Sequence, residues 1–290
     1  MNNQSKIDLL RSRLNTADPA IAMAAHNPLS AKLAAEAGYG AVWVSGFELS
    51  ASYAVPDASI LPMSANLEIT RAMSAVQDLP LVVEMDTGFG NAVNVAYIVP
   101  QFAAAGASAV VIEDKMFPKD SSLRSEGRHA LVSVKEFQGK VAAAKAASSA
   151  LVFARTEALI AGLGQDEAIR RGLAYVNAGA DAVLIHSKSK TPDEIVSFCR
   201  AWSSSVPLVI VPTSYPQLTF DQVAELNKIG LIICGNHAIR AAVASMRSVF
   251  RRILEDKSLT GVERDIAKVS DVFALQGDKH MREIEEEFLR

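Results

Sequence analysis

The chain has 290 residues, of which 50% are hydrophobic and 21% are charged, and its formal net charge is −3. This length is enough for one large domain, and the composition is typical of a globular protein with a substantial core. Because the sequence has no basic cluster, it lacks the usual signature of a nucleic-acid-binding protein. The N-terminus is polar and no run approaches 18 apolar residues, so we expect a soluble, cytoplasmic protein without a signal peptide or membrane span. Cysteine is scarce, and we expect Cys199 and Cys234 to be buried free thiols, with a disulfide between them as the alternative.

Three segments of the chain resemble one another: 35–45 (AEAGYGAVWVS), 103–113 (AAAGASAVVIE) and 176–186 (VNAGADAVLIH). Each segment contains the end of a helix, an Ala-Gly pair and a short apolar strand. Glycine suits the left-handed position that ends a helix, and the short connection returns the chain to a sheet. Apolar strands that alternate with amphipathic helices predict a parallel sheet that is buried on both faces.

Eight strands of this kind are predicted. They cover residues 20–25, 41–45, 79–86, 109–114, 150–155, 181–186, 207–212 and 230–235. Eight strand–helix units in about 250 residues predict an α/β fold of the (β/α)8 TIM-barrel type. A doubly wound open sheet is the alternative, but no glycine-rich dinucleotide-binding loop follows the first strand.

The domain organisation follows from this count. We expect residues 1–290 to form a single (β/α)8 barrel domain, in which residues 260–290 are a C-terminal helical extension beyond the eighth strand. Helices outside a closed barrel often contribute to subunit contacts, so a homo-oligomer, either a dimer or a tetramer, is expected. A solvated helical tail is the alternative.

Polar residues occur at or just after the ends of the predicted strands. They are Ser45 and Gly46 with Asp57 further along the same loop, Glu84 and Asp86, Glu113 with Asp114 and Lys115, Arg155 with Glu157, and His186. In barrel enzymes the catalytic side chains lie at the carboxyl ends of the strands. A barrel without a site would show no such set, so the pattern predicts an active site at this end.

Four of these residues are carboxylates, namely Asp57, Glu84, Asp86 and Glu113. Four acids in one partly dry cleft repel one another, and their burial without a counter-charge is costly. A divalent cation relieves this repulsion, and hard oxygen ligands without a histidine or cysteine cluster favour Mg²⁺ or Mn²⁺ over zinc. Ordinary salt bridges with Lys115 and Arg155 are the structural alternative.

Three further groups are candidates for anion binding. The guanidinium of Arg155 offers a bidentate fork to a carboxylate or phosphonate, although a structural ion pair with Glu157 or Glu113 is the alternative. His186 is a candidate acid/base or hydrogen-bond donor, and an isolated histidine of this kind is otherwise a satisfied core residue. The turn 45–47 presents backbone N–H groups that suit an oxyanion or phosphoryl group.

Several motifs together resemble the phosphoenolpyruvate mutase/isocitrate lyase superfamily along nearly the whole chain. EDKMFPKDSS (113–122) is similar to the E-D-K-x-F-P-K loop of that family, and EMDTGFGN (84–91) is similar to its D-x-D-T-G-[FY]-G segment. The segments WVSGFELSASYAVPD, ARTEALIAG and LIHSKSKTPDEI match the family in type and order. Within the superfamily, the resemblance is greatest to the branch that cleaves phosphonopyruvate with water. It implies hydrolysis of a carbon–phosphorus bond, with Mg²⁺ as cofactor and Mn²⁺ or Co²⁺ as possible substitutes.

The resemblance also implies roles for individual residues. It implies metal-shell roles for Asp57, Glu84, Asp86 and Glu113, substrate contacts for Arg155 and His186, a substrate pocket lined by Trp43, Ser45, Gly46 and Phe47, and a gating loop that contains Lys119, Ser121 and Ser122. Of these, Lys119, Ser121, Arg155, His186 and Asp57 are the expected catalytic residues. Glu84 departs from the family, which has the shorter aspartate at this position, and the extra methylene bears on metal affinity and preference.

The motifs also rank the other branches of the superfamily. The lyases carry a catalytic cysteine in a K-[KR]-C-G-H loop, where this chain reads KMFPKDS, so lyase chemistry is not expected. The mutases resemble EDKxFPKxNS, with asparagine at the position of Ser121, whereas the hydrolases carry threonine there. A phosphoenolpyruvate mutase and a hydrolase of 2-oxo diacids remain alternatives. A barrel that binds metabolites without catalysis is the alternative outside the enzymes.

Overall fold

The computed structural model describes residues 1–124 and 126–290. The chain divides into two compact units, Met1–Ala238 and Ile239–Arg290. The first unit contains every strand of the described sheet, and the second contains helices. The expectation of one domain with an oligomer-forming extension stays a prediction.

The first unit is a closed barrel of eight parallel strands. The strands are β1 (Ala20–Ala25), β2 (Ala41–Val44), β3 (Leu81–Glu84), β4 (Ala107–Glu113), β5 (Leu151–Thr156), β6 (Ala182–Ile185), β7 (Leu208–Ile210) and β8 (Ile229–Cys234). Each strand pairs with the next in sequence, and β8 pairs with β1. The predicted (β/α)8 barrel is therefore confirmed, and each predicted strand coincides with an observed one to within a few residues.

Helices precede, separate and follow the strands. They are α1 (Asn3–Arg13), α2 (Pro28–Glu36), α3 (Gly46–Ser52), α4 (Met63–Val76), α5 (Ala92–Ala104), α6 (Val134–Ala147), α7 (Gly164–Asn177), α8 (Asp193–Ala201), α9 (Phe220–Glu225), α10 (His237–Asp256), α11 (Val269–Gln276) and α12 (Asp278–Phe288). Several begin at polar caps that the sequence supplies: Asn27, Asn91 and Thr219 form capping boxes that satisfy the free N–H groups of a first helical turn. A short 3₁₀ turn covers Pro212–Ser214.

The glycines of the three similar segments have the backbone conformation that the sequence predicts. Gly38, Gly106 and Gly179 have φ values of 87°, 103° and 102°, in the left-handed region that residues with a Cβ rarely adopt. Gly106 also faces Ser74, whose Oγ would lie 2.1 Å from an added Cβ. These residues end helices and turn the chain directly into β2, β4 and β6.

The core has two layers. The barrel interior is filled by apolar side chains from alternating strand positions, among them Val82, Val111 and Phe153, and Trp43 belongs to the same cluster. A second layer lies between the strands and the surrounding helices. This filled interior holds the strand ends rigidly, so side chains that follow the strands have fixed positions.

The second unit consists of most of α10 followed by α11 and α12. Gly277, with a φ of 80°, separates α11 from α12. Of the described helices, none is long and apolar enough to span a membrane. Cys199 and Cys234 are free thiols, as predicted, but only Cys199 is buried, while Cys234 is partly exposed at the end of β8.

Candidate active site

A cavity lies at the carboxyl ends of the strands, where the sequence predicts a site. Eleven of the predicted residues line it: Trp43, Ser45, Phe47, Asp57, Glu84, Glu113, Lys119, Ser121, Ser122, Arg155 and His186. The two remaining predicted residues, Gly46 and Asp86, contact lining residues, since Gly46 donates its N–H to Glu84 and Asp86 pairs with Lys119. The parallel barrel explains this convergence because all eight strands end at the same rim.

Three carboxylates surround the ammonium group of Lys119. Its Nζ lies 2.7 Å from Asp86 Oδ1, 3.0 Å from Asp57 Oδ1 and 3.4 Å from Glu84 Oε1. Burial alone would lower the pKa of Lys119, but Asp57 and Asp86 reverse this effect and raise it well above its usual value. Lys119 is therefore a permanent positive charge within the acidic cluster.

Glu113 occupies the fourth carboxylate position. Burial raises its pKa to about 7, although Arg155 and Lys115 oppose the shift. Its Oε2 lies 3.4 Å from Arg155 Nε, while Oε1 is buried and has no hydrogen-bond partner. An unsatisfied buried carboxylate oxygen is costly, so this atom indicates a place for a further positively charged or hydrogen-bonding group.

Two observations bear on whether these four carboxylates fit a divalent cation, and they point in opposite directions. All four offer hard oxygen donors, and Glu113 Oε1 is without a partner, which suits Mg²⁺. Against this, no three histidine, cysteine, aspartate or glutamate side chains in residues 1–124 and 126–290 are arranged to hold a metal ion directly. The contacts of Lys119 explain the difference, because its ammonium group holds three of the carboxylates around itself. The donor set fits a cation if Lys119 moves.

Glu84 is fixed by more than its charge. Its Oε2 accepts the backbone N–H of Gly46 at 2.8 Å, and its Oε1 accepts from Arg155 NH1 at 3.1 Å. Asn66 donates to the backbone carbonyl of Glu84 at 2.8 Å. The extra methylene of Glu84, compared with the family aspartate, thus lets the carboxylate reach the first turn of α3.

Arg155 is the centre of the basic side of the cavity. Its Nε donates to Glu157 Oε1 at 2.6 Å, and its NH2 group lies 3.0 Å from both Ser122 Oγ and His186 Nδ1. Burial alone would lower the pKa of Arg155, but Glu157 and Glu113 raise it, so the guanidinium stays charged. The predicted alternative of a structural ion pair with Glu157 or Glu113 is therefore present in the same geometry that directs Arg155 towards the cavity.

His186 is held neutral by its surroundings. Burial and the adjacent Arg155 lower its pKa, although Glu157, 3.2 Å from Nδ1, opposes them. Arg155 can only donate to Nδ1 and Glu157 can only accept from it, so the two contacts favour opposite tautomers. The shorter contact, 3.0 Å from Arg155 NH2, is satisfied when the proton of the neutral ring is on Nε2. This tautomer makes His186 a hydrogen-bond donor towards a ligand.

The loop after β4 is anchored by charge. Lys115, only 1% exposed, donates to Ser122 Oγ at 2.5 Å and to the Asp120 carbonyl at 2.8 Å. Ser122 donates in turn to Glu157 Oε2 at 2.5 Å. These contacts hold the segment that carries Lys119 and Ser121 over the cavity.

Three candidate functional residues were not predicted from the sequence. Glu157 is fully buried and contacts Arg155, His186, Lys115 and Ser122, although the sequence treats it only as a possible partner of Arg155. Thr213 and Asn236 also line the cavity. They follow β7 and β8, so inspection of those two strand ends would have found them. No comparable signal marks Glu157 as a centre of contacts.

The sequence was compared with known proteins. The family model described as phosphoenolpyruvate phosphomutase matches residues 10–254, most of the barrel. The chain belongs to the phosphoenolpyruvate mutase family. The family resemblance predicted from the motifs is thereby confirmed.

Individual members of this family are similar along the whole chain. Phosphonopyruvate hydrolase of Variovorax sp. (strain Pal2) is 58% identical over 289 residues, which cover 99% of this chain and 100% of the relative. Phosphoenolpyruvate phosphomutase of Tetrahymena pyriformis is 38% identical over 287 residues, 98% of this chain and 95% of the relative. A crystal structure of phosphonopyruvate hydrolase in complex with oxalate and Mg²⁺ superposes with a TM-score of 0.94, at 56% identity and 100% coverage of both chains.

Proposed function

We propose that this protein is a Mg²⁺-dependent hydrolase that cleaves the carbon–phosphorus bond of phosphonopyruvate and produces pyruvate and phosphate. The observation that carries the proposal is the 58% identity to phosphonopyruvate hydrolase over essentially the whole chain. The cavity supports it, because it has an acidic side around Lys119 and a basic side around Arg155. Such a pair of sides suits a substrate that needs both a cation and an anion clamp.

The cation is held by the acidic side. Asp57, Glu84, Asp86 and Glu113 would supply its carboxylate shell, directly or through water, as is common for Mg²⁺ sites. When bound, the cation neutralises the negative charge that develops on the enolate oxygen. Since three of these carboxylates contact Lys119 Nζ, they would be free to hold the cation once Lys119 moves away from them. The released ammonium group is then available to the substrate.

The basic side orients the substrate. Arg155 and the Nε2–H of His186 hold phosphonate oxygens, while Ser45, Phe47 and the turn that contains Gly46 bound the other end of the pocket. Gly46 donates its N–H to Glu84. Gly46 therefore contributes by positioning a carboxylate of the cation site. Trp43 forms the apolar floor, which restricts water.

The reaction breaks the carbon–phosphorus bond and forms a phosphorus–oxygen bond with water. The electron pair of the broken bond passes to carbon and produces the enolate of pyruvate, which takes a proton. A phosphoryl group in transfer has a loose transition state, so positioning and charge stabilisation supply most of the catalysis. Arg155, His186 and Lys119 provide positive charge and donors at the phosphoryl oxygens, Ser121 orients the attacking water, and Ser122 holds Arg155 in place.

Replacement of Gly46 with alanine tests the contact between α3 and the acidic side. The new Cβ would lie 3.1 Å from Glu84 Oε2 and 3.4 Å from Asp86 Oδ1, so Glu84 has to shift by a few tenths of an ångström. We expect kcat/KM to fall by about threefold to tenfold because misplaced groups slow catalysis. The thermal midpoint should not fall, since alanine is favoured over glycine in a helix. Gly139→Ala in α6, where the nearest atom is 3.9 Å away, is the matched control, and equal kinetics for the two variants would contradict the expectation.

A phosphoenolpyruvate mutase is the second candidate, supported by the 38% identity to the Tetrahymena enzyme. Ser121 bears on the choice, because the mutases carry asparagine there. We expect Ser121→Asn to reduce phosphate release by about tenfold, since a larger planar amide hinders water, while KM changes little because Arg155 and the cation carry binding. Phosphate and phosphoenolpyruvate yields are measured side by side, with Ser203→Asn, at an exposed serine after α8 that does not line the cavity, as the control. If Ser121→Asn releases phosphate as fast as the wild type, the loop residue does not control water.

A direct assay tests the function. The purified protein is incubated with phosphonopyruvate and Mg²⁺, and pyruvate is measured with lactate dehydrogenase while phosphate is measured independently. We expect the two products in equal amounts, and no turnover of oxaloacetate at a comparable rate. Turnover of oxaloacetate alone would favour the 2-oxo-diacid alternative. The expected homo-oligomer and the cytoplasmic location stay predictions, which gel filtration with light scattering and cell fractionation would test.

A further inference from the structure

Asp114 directly follows Glu113 at the end of β4, but its side chain takes the opposite direction. Glu113 lines the cavity, whereas Asp114 is fully buried against α7 on the outer side of the barrel. Alternation of neighbouring side chains along a strand accounts for the difference. A carboxylate buried outside the cavity is costly and requires a compensating set of partners.

Two residues of α7 contact the carboxylate of Asp114. Tyr175 donates its hydroxyl to Asp114 Oδ2 at 2.6 Å, and Arg171 NH1 lies 3.1 Å from the same oxygen. Arg171 is itself oriented by Glu167, which accepts from its Nε at 2.8 Å. Burial raises the pKa of Tyr175, so the phenol remains a donor.

Asp114 in turn fixes the residue that organises the basic side of the cavity. Its Oδ1 accepts the backbone N–H of Glu157 at 2.9 Å. The fully buried carboxylate of Glu157 orients Arg155 and Ser122 through distances of 2.6 and 2.5 Å, and Arg155 NH2 in turn lies 3.0 Å from His186 Nδ1. Burial alone would raise the pKa of Glu157, but Arg155 and Lys115 hold it well below its usual range, so it stays a charged acceptor.

The backbone carbonyl of Asp114 and the side chain of Arg171 also fix the base of the loop that carries Lys119. The backbone N–H of Val132 donates to the carbonyl of Asp114 at 2.9 Å, and Arg171 NH1 donates to the carbonyl of Val132 at 3.1 Å. Lys115 and Leu131 form a bridge one residue further out. Both ends of the loop are therefore tied to the Asp114–Arg171 pair.

We propose that Asp114, held by Tyr175 and Arg171, is a positioning residue for catalysis. It sets the place of Glu157, and through it the places of Arg155, His186 and Ser122, and it fixes the two ends of the loop that delivers Lys119. None of the three residues lines the cavity, so their effect reaches the substrate only through Glu157 and the loop. The inference rests on the proposed function, because it concerns the same cavity.

The test compares two Tyr→Phe substitutions, each of which removes only the hydroxyl group of a buried tyrosine. Tyr175→Phe removes the donor to Asp114 and retains the ring that packs edge-on against Phe137, with centroids 4.5 Å apart. Tyr215→Phe is the matched control because Tyr215 is also fully buried and its hydroxyl has no hydrogen-bond partner. For both variants we measure kcat and KM for phosphonopyruvate, together with the thermal midpoint.

We expect Tyr175→Phe to lower kcat by about tenfold, the size expected for loss of a hydrogen bond to a charged group, with KM within about twofold. Tyr215→Phe should keep kcat within about twofold of the wild type. Asp114→Asn should lower kcat further if it folds. A Tyr175→Phe variant with a lower thermal midpoint but a wild-type kcat would overturn the proposal, because the network would then be structural only.

A second readout does not depend on the substrate. The ¹⁵N resonances of the His186 ring, assigned with His186→Gln, report its contacts with Arg155 and Glu157. We expect these resonances to shift in Tyr175→Phe and not in Tyr215→Phe, and identical spectra would overturn the positioning role. If the wild type does not turn over phosphonopyruvate, the proposed function fails, and the shift of His186 alone decides whether Asp114 positions Glu157.

Discussion

Replacement of Asp86 with alanine is expected to reduce phosphonopyruvate hydrolysis by about 10³-fold or more, because a catalytic cation supplies several kcal/mol of transition-state stabilisation. Asp86 Oδ1 makes the shortest contact with Lys119 Nζ, at 2.7 Å, and its Oδ2 accepts from Ser59 at 2.9 Å. Its backbone φ of 47° lies in the left-handed region, so the side chain projects from a special turn. Loss of this carboxylate removes a charge that both Lys119 and the cation need.

Two further variants separate the carboxylate from the backbone. Asp86→Asn retains the shape and the tolerance for a left-handed φ, so a similar loss of activity in this variant identifies the charge as the cause. Asp78→Ala removes an exposed carboxylate that pairs with the N-terminus and is the control. Calorimetric titration with Mg²⁺ should show weaker binding to both Asp86 variants. Full turnover by Asp86→Ala, or by the wild type after exhaustive chelation, would contradict the cation site.

Replacement of Arg155 with lysine is expected to lower kcat/KM by about 10²–10³-fold, as for the loss of a preorganised donor to a developing charge. An ammonium group cannot reproduce the planar fork that contacts Glu157, Glu84 and His186 at 2.6, 3.1 and 3.0 Å. His186 would also lose the donor that contacts its Nδ1. The substitution therefore affects two groups of the site, the side chain at position 155 and His186.

The measurement for Arg155→Lys combines kinetics with thermal unfolding. Arg170→Lys, an exposed arginine of α7 paired with Glu167, is the matched control and should behave as the wild type. Partial loss of the partners of buried Glu157 and Glu113 should also lower the thermal midpoint, so activity is measured well below it. Near-normal kinetics with a reduced midpoint would show that Arg155 is a structural ion-pair partner only.

The fold was largely predictable because its signals are local and repeated. The Ala-Gly pairs before β2, β4 and β6 mark helix ends, and Gly38, Gly106 and Gly179 have the predicted left-handed conformation. Eight apolar strands of similar spacing leave few topologies other than a barrel. The rule that strand ends meet at one rim then brought the predicted side chains to one cavity, although their individual roles stay predictions.

Other features depend on contacts that sequence patterns do not encode. The contact of Lys119 with three carboxylates depends on the path of the loop after β4, and loop paths have no periodic signal. The reach of Glu84 to the N–H of Gly46 depends on the distance between β3 and α3. The direction of the Asp114 side chain, by contrast, was predictable, because the alternation of side chains along β4 assigns it to the outer side of the barrel.

One measurement tests the hydrolysis of phosphonopyruvate most directly. The purified protein, phosphonopyruvate and Mg²⁺ are combined, and the phosphorus-containing species are followed over time by ³¹P NMR, with Asp86→Ala as the inactive control. We predict that the phosphonate resonance is replaced by that of inorganic phosphate, with an equal amount of pyruvate in the proton spectrum. Accumulation of phosphoenolpyruvate as the main product, or an unchanged phosphonate resonance, would contradict the proposed hydrolase.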